Sequence, residues 1–205
     1  MASSAHVVVV DDFVDLLDRL RLVLVRAGYE VSTYAKPSEF LLAPRPTPPC
    51  CLLLDLEMPE VSGLAIQQEL LRGGDAVPTV FMTGHRDVPA TIQAMKNGAT
   101  DFLLKPFSNG DLLDAVARAV NRSVEQEAAR QAVARARERL AALSPREREV
   151  CLLVAQGLTS REIAERLGTA ESTISVHRVR IMAKLKADSV PDLVRLVDLA
   201  GSGPP

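Results

Sequence analysis

The sequence contains no tryptophan and only two tyrosines and five phenylalanines among its 205 residues, so its core must be largely aliphatic. It has no apolar run approaching the ~20 residues that a membrane-spanning helix requires. The first twelve residues, MASSAHVVVVDD, lack the basic region that begins a secretory signal peptide. These absences predict a globular protein that neither crosses nor binds a membrane.

Cysteine is also scarce, with Cys50, Cys51 and Cys151 as the only three. An odd number at these spacings fits neither a disulfide framework nor a zinc cluster. Small buried side chains in a reducing compartment are the simpler interpretation. With the missing signal peptide, they favour a cytoplasmic location.

The net charge is only −2, but the charge is unevenly distributed. Residues 1–120 carry 10 Lys and Arg against 15 Asp and Glu, whereas residues 121–205 carry 14 against 11. The length allows one large domain or two small ones. An acidic first part joined to a basic second part is typical of a regulatory domain attached to a nucleic-acid-binding domain.

Short apolar runs alternate with longer amphipathic segments along the first 120 residues. The apolar runs, interpreted as strands, are His6–Val10, Glu30–Tyr34, Cys51–Leu54, Thr79–Met82 and Asp101–Leu104. The segments with helical spacing include Phe13–Ala27, Gly63–Arg72, Val88–Asn97 and the residues from Asn109 onward. This alternation predicts an α/β domain with a five-stranded, parallel, doubly wound sheet.

The remainder of the chain is predicted to be helical. Residues 121–143 contain neither Gly nor Pro, which indicates a helical linker continuing the last helix of the first domain. Ser144-Pro145-Arg146-Glu147 then has the pattern of a helix start, and Gly157 and Gly168 mark later helix ends. We therefore predict an α/β domain at 1–122, a long helical linker at 123–142 and an all-α four-helix domain at 143–205.

Polar residues follow four of the five predicted strands: Asp11 and Asp12 the first, Asp55 the third, Thr83 the fourth and Lys105 the fifth. Because parallel strands end at one edge of the sheet, these side chains are expected to converge. Three carboxylates with no positive charge among them would repel one another, and Mg²⁺ would relieve that repulsion. The hydroxyl of Thr83 and the ammonium of Lys105 suit the oxygens of a phosphoryl group bound to a carboxylate.

The segments VVVVDD (7–12), LLLDLEMPEVSG (52–63), VFMTGH (80–85) and FLLKPF (102–107) closely resemble the receiver domain of two-component response regulators. The resemblance covers about residues 5–122. It implies that Asp55 is the phosphoacceptor for a sensor histidine kinase. It also implies an Mg²⁺ or Mn²⁺ site formed by Asp11, Asp12, Asp55 and the backbone carbonyl of Glu57.

The same resemblance implies a switch made of Thr83, Lys105 and Phe102. In this family Thr83 and Lys105 would move toward the phosphoryl group, and the aromatic side chain of Phe102 would turn inward. Residues 84–107 look particularly like the FixJ-type receivers, which dimerise through the face formed by helix four, strand five and helix five. A homodimer of the phosphorylated protein is therefore expected.

The basic part of the chain has the layout of a helix-turn-helix. A helix at about Ser160–Leu167 is followed by a turn at Gly168 and by a second helix starting near Glu171. Residues 175–186 include four basic residues and no acid. At helical spacing Ile174, Ile181 and Leu185 would pack inward, which leaves the basic residues free to contact phosphates.

Residues 143–185 resemble the LuxR-type helix-turn-helix domain, which implies that helix Glu171–Lys186 recognises double-stranded promoter DNA. The candidate contacts are Thr173, Ser175, Val176, His177, Arg178, Arg180 and Lys184. His177 could equally be a packing residue. Two positions differ from many relatives, since Ser160 stands in place of Asn and Ser175 in place of Lys.

The combined prediction is a FixJ/NarL-type response regulator, and not an enzyme, in which phosphorylation of Asp55 promotes dimerisation and DNA binding. One alternative is a DNA-binding regulator that is not controlled by phosphorylation. Another is an aspartyl-phosphate phosphatase of the haloacid-dehalogenase type, with Glu57 as its general acid and base. The basic helical domain and the absence of a lid segment count against the phosphatase.

Overall fold

The computed structural model describes residues 5–84 and 88–201, so His85 at the end of the 80–85 motif lies outside the described residues. The chain separates into two compact units, Met1–Glu127 and Ala128–Pro205. The division falls within the predicted linker, and residues 123–141 of that linker are helical. The exact domain boundaries drawn from the sequence remain a prediction.

The first unit is built on five parallel strands in the order β2-β1-β3-β4-β5. Its elements are β1 (His6–Val10), α1 (Val14–Arg26), β2 (Glu30–Tyr34), α2 (Pro37–Leu42), β3 (Cys50–Asp55), α3 (Gly63–Arg72), β4 (Thr79–Thr83), α4 (Val88–Lys96), β5 (Asp101–Leu104) and the first part of α5 (Asn109–Ala141). This strand order is one of the two common doubly wound topologies. The predicted α/β fold is confirmed.

Successive residues of a strand point to opposite faces of the sheet, and each face has its own hydrophobic core. Val7 and Val9 of β1 pack with buried leucines of α1 and with Leu112 of α5. The intervening Val8 and Val10 pack with residues of the other face, including Ile66 of α3. All six residues of β3 are buried, as expected for a central strand covered by helices on both faces.

The second unit consists of the end of α5 followed by α6 (Pro145–Ala155), α7 (Ser160–Leu167), α8 (Glu171–Leu185) and α9 (Val190–Gly201). Capping boxes begin α6 at Ser144 and α7 at Thr159. The four predicted helices are confirmed. The structure adds that Ala136 and Leu140 of α5 are buried in the core of this unit.

Cys50, Cys51 and Cys151 are free and buried. Within residues 5–84 and 88–201, no helix is both long and apolar enough to span a bilayer.

Candidate functional site

The first site is an acidic pocket at the carboxyl ends of β1 and β3. Asp11 follows β1 and Asp55 ends β3, and both are buried, whereas Asp12 is exposed. One carboxylate oxygen of each lies within 4.8 Å of the others. Since hard divalent cations bind clustered carboxylate oxygens, this trio has the chemistry of a single cation site.

Lys105, directly after β5, lies in this pocket as expected, but it contacts the carboxylates themselves, which the sequence did not predict. Its Nζ lies 2.6 Å from Oδ2 of Asp11 and 3.1 Å from Oδ1 of Asp55. The lysine therefore bridges the two buried acids. It is positioned to exchange these partners for another anionic oxygen at the same site.

Burial and charge act against each other on the ionisation of this pocket. Burial raises the pKa of the Asp55 carboxyl, and the charge of Lys105 only partly offsets that effect. Burial alone would lower the pKa of Lys105, but its hydrogen bond to Asp11 and the charges of Asp11 and Asp55 raise it instead. Lys105 is therefore protonated at neutral pH.

Backbone amides orient both buried carboxylates. The N–H of Leu56 donates to Oδ1 of Asp55 over 3.0 Å, and the N–H of Phe13 donates to Oδ1 of Asp11 over 3.0 Å. These bonds occupy one oxygen on each acid. The other oxygen of Asp11 faces Lys105.

The loop between β3 and α3 folds back tightly against the end of β3. The N–H of Gly63 donates to the carbonyl of Leu56 over 3.0 Å. A Cβ at residue 63 would lie only 2.2 Å from the carbonyl oxygen of Asp55, so only glycine fits there. The sequence analysis did not assign Gly63 a role, although it ends the segment 52–63 that contains Asp55.

The remaining predicted receiver residues, Thr83, Glu57 and Phe102, differ in how far they are buried. Thr83 ends β4 and is buried, and its carbonyl accepts a 2.7 Å hydrogen bond from the N–H of Lys105. Glu57 lies in the loop two residues after Asp55 and is exposed. Phe102 of β5 is 46% exposed, so it is not buried in the core in this conformation.

The second site is the helix-turn-helix formed by α7 and α8. Gly168 ends α7 with a φ of 62°, which glycine adopts without strain. Ile174, Ile181 and Leu185 anchor α8 in the core, as expected. The predicted DNA contacts divide into exposed residues, Thr173, Ser175, Val176, Arg180 and Lys184, and half-buried residues, His177 and Arg178.

Several of these side chains bond within the domain. Lys184 donates to Oε2 of Glu147 over 2.6 Å, and Arg178 donates to the carbonyl of Leu158 over 3.4 Å. Nδ1 of His177 is buried and has no hydrogen-bond partner among the described residues. The structure thus gives Lys184 and Arg178 intramolecular contacts that the sequence did not reveal.

Glu147 is the shared acceptor of two donors. Besides Lys184, it accepts a 2.8 Å hydrogen bond from the N–H of Ser144 in the capping box of α6. The Lys184 hydrogen bond first, and the Ser144 amide second, lower the pKa of Glu147 to about 2. This carboxylate therefore joins the start of α6 to the last turn of α8.

Comparison with known protein families assigns each of the two units to a family. Residues 7–117 match the response regulator receiver domain, and residues 141–197 match the LuxR family of bacterial regulatory proteins. The match to the second family begins within α5.

Relatives similar to this chain span nearly its whole length. Nodulation protein W of Bradyrhizobium diazoefficiens is 40% identical over 200 residues, covering 98% of this chain and 88% of that protein. The transcriptional regulatory protein FixJ of Azorhizobium caulinodans is 39% identical, covering 100% and 97%.

Two solved structures are also similar over nearly the whole chain. The response regulator StyR is 41% identical with a TM-score of 0.82, over 96% of this chain and 99% of that one. Full-length FixJ from B. japonicum is 33% identical with a TM-score of 0.56, over 97% and 98%.

Proposed function

Because this chain belongs to the two-component response regulators that carry a LuxR-type DNA-binding domain, we propose that Asp55 is its phosphoacceptor. The chain is a phosphorylation-dependent transcription regulator, and its proposed phosphoryl donor is a sensor histidine kinase. One observation carries the choice of Asp55. Both oxygens of Asp11 are bonded, Oδ1 by the Phe13 amide and Oδ2 by Lys105, whereas the Leu56 amide and Lys105 both contact the same oxygen of Asp55, Oδ1.

In the proposed transfer, a carboxylate oxygen of Asp55 attacks the phosphorus of a phosphohistidine on the kinase. The O–P bond forms as the P–N bond breaks, and the electron pair of that bond returns to the imidazole nitrogen. The Leu56 amide and Lys105 both contact Oδ1 of Asp55, so they hold the carboxylate in position before the attack.

A divalent cation, Mg²⁺ or Mn²⁺, fits the oxygen donors of this pocket. Its proposed ligands are Asp12, Asp55 and the carbonyl of Glu57, with Asp11 acting through water. When bound, such an ion neutralises charge on the oxygens of the transferred phosphoryl group. Lys105 contributes a second positive charge from the protein itself.

The proposed switch follows from the charge that phosphorylation adds, roughly −1.5 to −2. Lys105 exchanges its contacts with Asp11 and Asp55 for the phosphoryl oxygens, and the Thr83 hydroxyl donates to the same group. Phe102, which is partly exposed before the change, turns inward into the space that Thr83 leaves. Coupling of this kind typically amounts to about 1–3 kcal/mol, enough to shift an existing equilibrium.

We propose the face formed by α4, β5 and α5 as the dimer interface of the phosphorylated protein. Its apolar side chains are Ile92, Met95, Phe102 and Leu104, and all four are exposed. A cluster of exposed apolar residues beside the switch position supports an interface there. A two-fold dimer would then place two DNA-binding domains on a two-fold-related promoter site.

The proposed DNA contacts are the seven residues identified from the sequence, Thr173, Ser175, Val176, His177, Arg178, Arg180 and Lys184. All seven lie on α8, which carries three basic residues, Arg178, Arg180 and Lys184, and no acid after Glu171. Lys184 and Arg178 also bond within the domain, so we expect them to contribute less to phosphate binding than the exposed Arg180.

Light scattering coupled to size exclusion tests the switch. We expect the full-length protein to change from monomer to dimer when Mg²⁺ and beryllofluoride, a phosphoryl mimic, are added together. Asp55→Asn should remove this response, whereas Asp18→Asn, an exposed aspartate on α1, should keep it. An unchanged mass with intact DNA binding would contradict the dimer switch and leave two mechanisms, unmasking of the DNA-binding domain within the monomer or a regulator that is not controlled by phosphorylation.

A further inference from the structure

Two valines of α8 have side chains that are largely exposed to solvent. Val179 is 71% exposed and Val176 is 50% exposed. No other described valine is more exposed than Val179. Valine also disfavours helix formation slightly relative to alanine, so helix stability does not explain its presence at these positions.

The two valines form a strip with Ala183 on the solvent side of the helix. Residues 176, 179 and 183 are separated by three and four positions, which places them on one helical face. Ala183 is also exposed. The opposite face carries Ile174 and Ile181, which are fully buried in the core of the unit.

The surroundings of this strip are cationic. Between residues 172 and 187 the sequence has four basic residues and no acid. Arg178 and Lys184 bond back to the carbonyl of Leu158 and to Glu147. Arg180 is exposed beside the valines. A partner for this face must therefore combine negative charge at its edges with small apolar groups at its centre.

The major groove of duplex DNA has both properties. Its rims are phosphates, and the C5-methyl group of thymine is the apolar group that its floor presents. We propose that Val176 and Val179 contact thymine methyl groups and so make this protein select thymine within each half-site. This inference rests on the proposed binding of DNA by α8, and it adds Val179 as a specificity-determining residue that the sequence analysis did not identify.

The test begins with duplexes selected from a random library by the full-length protein in the presence of Mg²⁺ and beryllofluoride. Each selected thymine is then replaced singly by deoxyuridine, which removes only the C5-methyl group. For the unmodified protein, at least one replacement in each half-site should weaken binding about fourfold, the cost of exposing one methyl-sized apolar group.

Substitutions in the protein then identify the side chain that contacts this methyl group. In Val179→Ala or Val176→Ala the sensitive deoxyuridine replacement should no longer weaken binding, because the contact is already lost. Val124→Ala is the matched control, since Val124 is an exposed valine on α5 and should leave the fourfold effect intact. Alanine favours helix, so circular dichroism should show unchanged helical content in all three variants.

Three outcomes overturn the inference. Selected sites without thymine would do so, as would thymines that all tolerate replacement by deoxyuridine. Equal losses for the unmodified protein and for both α8 variants would show that the methyl group contacts another residue. These results leave DNA binding itself intact, whereas failure to enrich any sequence would contradict the proposed function as well.

Discussion

The ammonium of Lys184 in α8 lies 2.6 Å from Oε2 of Glu147 in α6, so one ion pair joins these two helices. Glu147 is buried, and it also accepts the capping hydrogen bond of Ser144. Removing one partner of an ion pair that includes a buried carboxylate destabilises a fold more than breaking an exposed pair does, because the carboxylate is left uncompensated. Lys184 therefore has a structural role as well as its proposed place in the DNA contact set.

We predict that Lys184→Met lowers the thermal stability of the protein at neutral pH and that this loss shrinks as the pH falls, becoming small only at or below about pH 2. The folded pKa of Glu147 is lowered to about 2, so its carboxylate stabilises the fold above its unfolded pKa. That stabilisation is lost as the pH falls from about 4.3 toward 2. Thermal unfolding of both proteins across this range measures the difference.

The matched control for this prediction is Arg161→Met. Arg161 pairs with Glu165 at 3.1 Å on the surface of α7, where both side chains are mostly exposed. Exposed pairs contribute little, so this variant should unfold close to the unmodified protein at every pH. Equal losses in the two variants would contradict a special role for Lys184.

The salt dependence of DNA binding should distinguish the basic residues of α8 that contact phosphates from those that are paired within the domain. Arg180 is exposed, so Arg180→Met should make the plot of log affinity against log salt shallower by about 0.9, as expected for one phosphate contact. Lys184→Met should change the slope much less, because its ammonium already lies against Glu147. A full change of slope for Lys184→Met would show that DNA binding displaces the intramolecular bond.

Lys105→Met should increase the response of the protein to Mg²⁺. The substitution removes the cation that bridges Asp11 and Asp55 and leaves their charges uncompensated. Cation binding stabilises the fold in proportion to the logarithm of the ion concentration over its dissociation constant. The rise in melting temperature on adding Mg²⁺ should therefore be larger in this variant. Lys96→Met, an exposed lysine on α4, is the control, and an equal rise in both would contradict the prediction.

The sequence predicted the five strands because each is a short apolar, β-branched or aliphatic run, and it predicted which polar residues follow four of them. It did not predict that Lys105 bonds Asp11, because that contact depends on how three strand ends meet in space. The six-residue α2 was not singled out either, since it is too short to show helical periodicity.

The linker illustrates a second limit of sequence patterns. Its composition, without Gly or Pro, was sufficient to predict a helix, and α5 runs unbroken from Asn109 to Ala141. Its apolar positions follow no clean repeat, so the packing of Ala136 and Leu140 into the second core was not predictable. The exposure of Val179 was similarly missed, because a lone valine in a helical pattern is usually a core residue.

Gly63→Ala should destabilise the protein by about 1–3 kcal/mol, the usual cost of forcing extra volume into a packed site. The new methyl group would lie 2.2 Å from the carbonyl oxygen of Asp55, and backbone cannot rotate away as a side chain can. The displaced loop should also slow phosphorylation of Asp55. Gly110→Ala is the control, because its nearest neighbour is a serine hydroxyl at 3.5 Å and alanine favours helix. Equal stability of the two variants, measured by denaturant unfolding, would contradict this account.

Glu60→Gly should instead increase the stability of the protein. Glu60 has a φ of 72°, a left-handed conformation that costs a residue with a Cβ about 1–2 kcal/mol. Glycine removes that strain but gives the unfolded chain more freedom, so a net gain of up to about 1 kcal/mol is expected. Glu69→Gly removes the same side chain from the middle of α3, where glycine should instead cost about 1 kcal/mol. Denaturant unfolding that shows both substitutions to be destabilising would contradict this prediction. Contacts of the Glu60 side chain would then compensate the backbone strain, and the loop beside Asp55 would depend on that side chain.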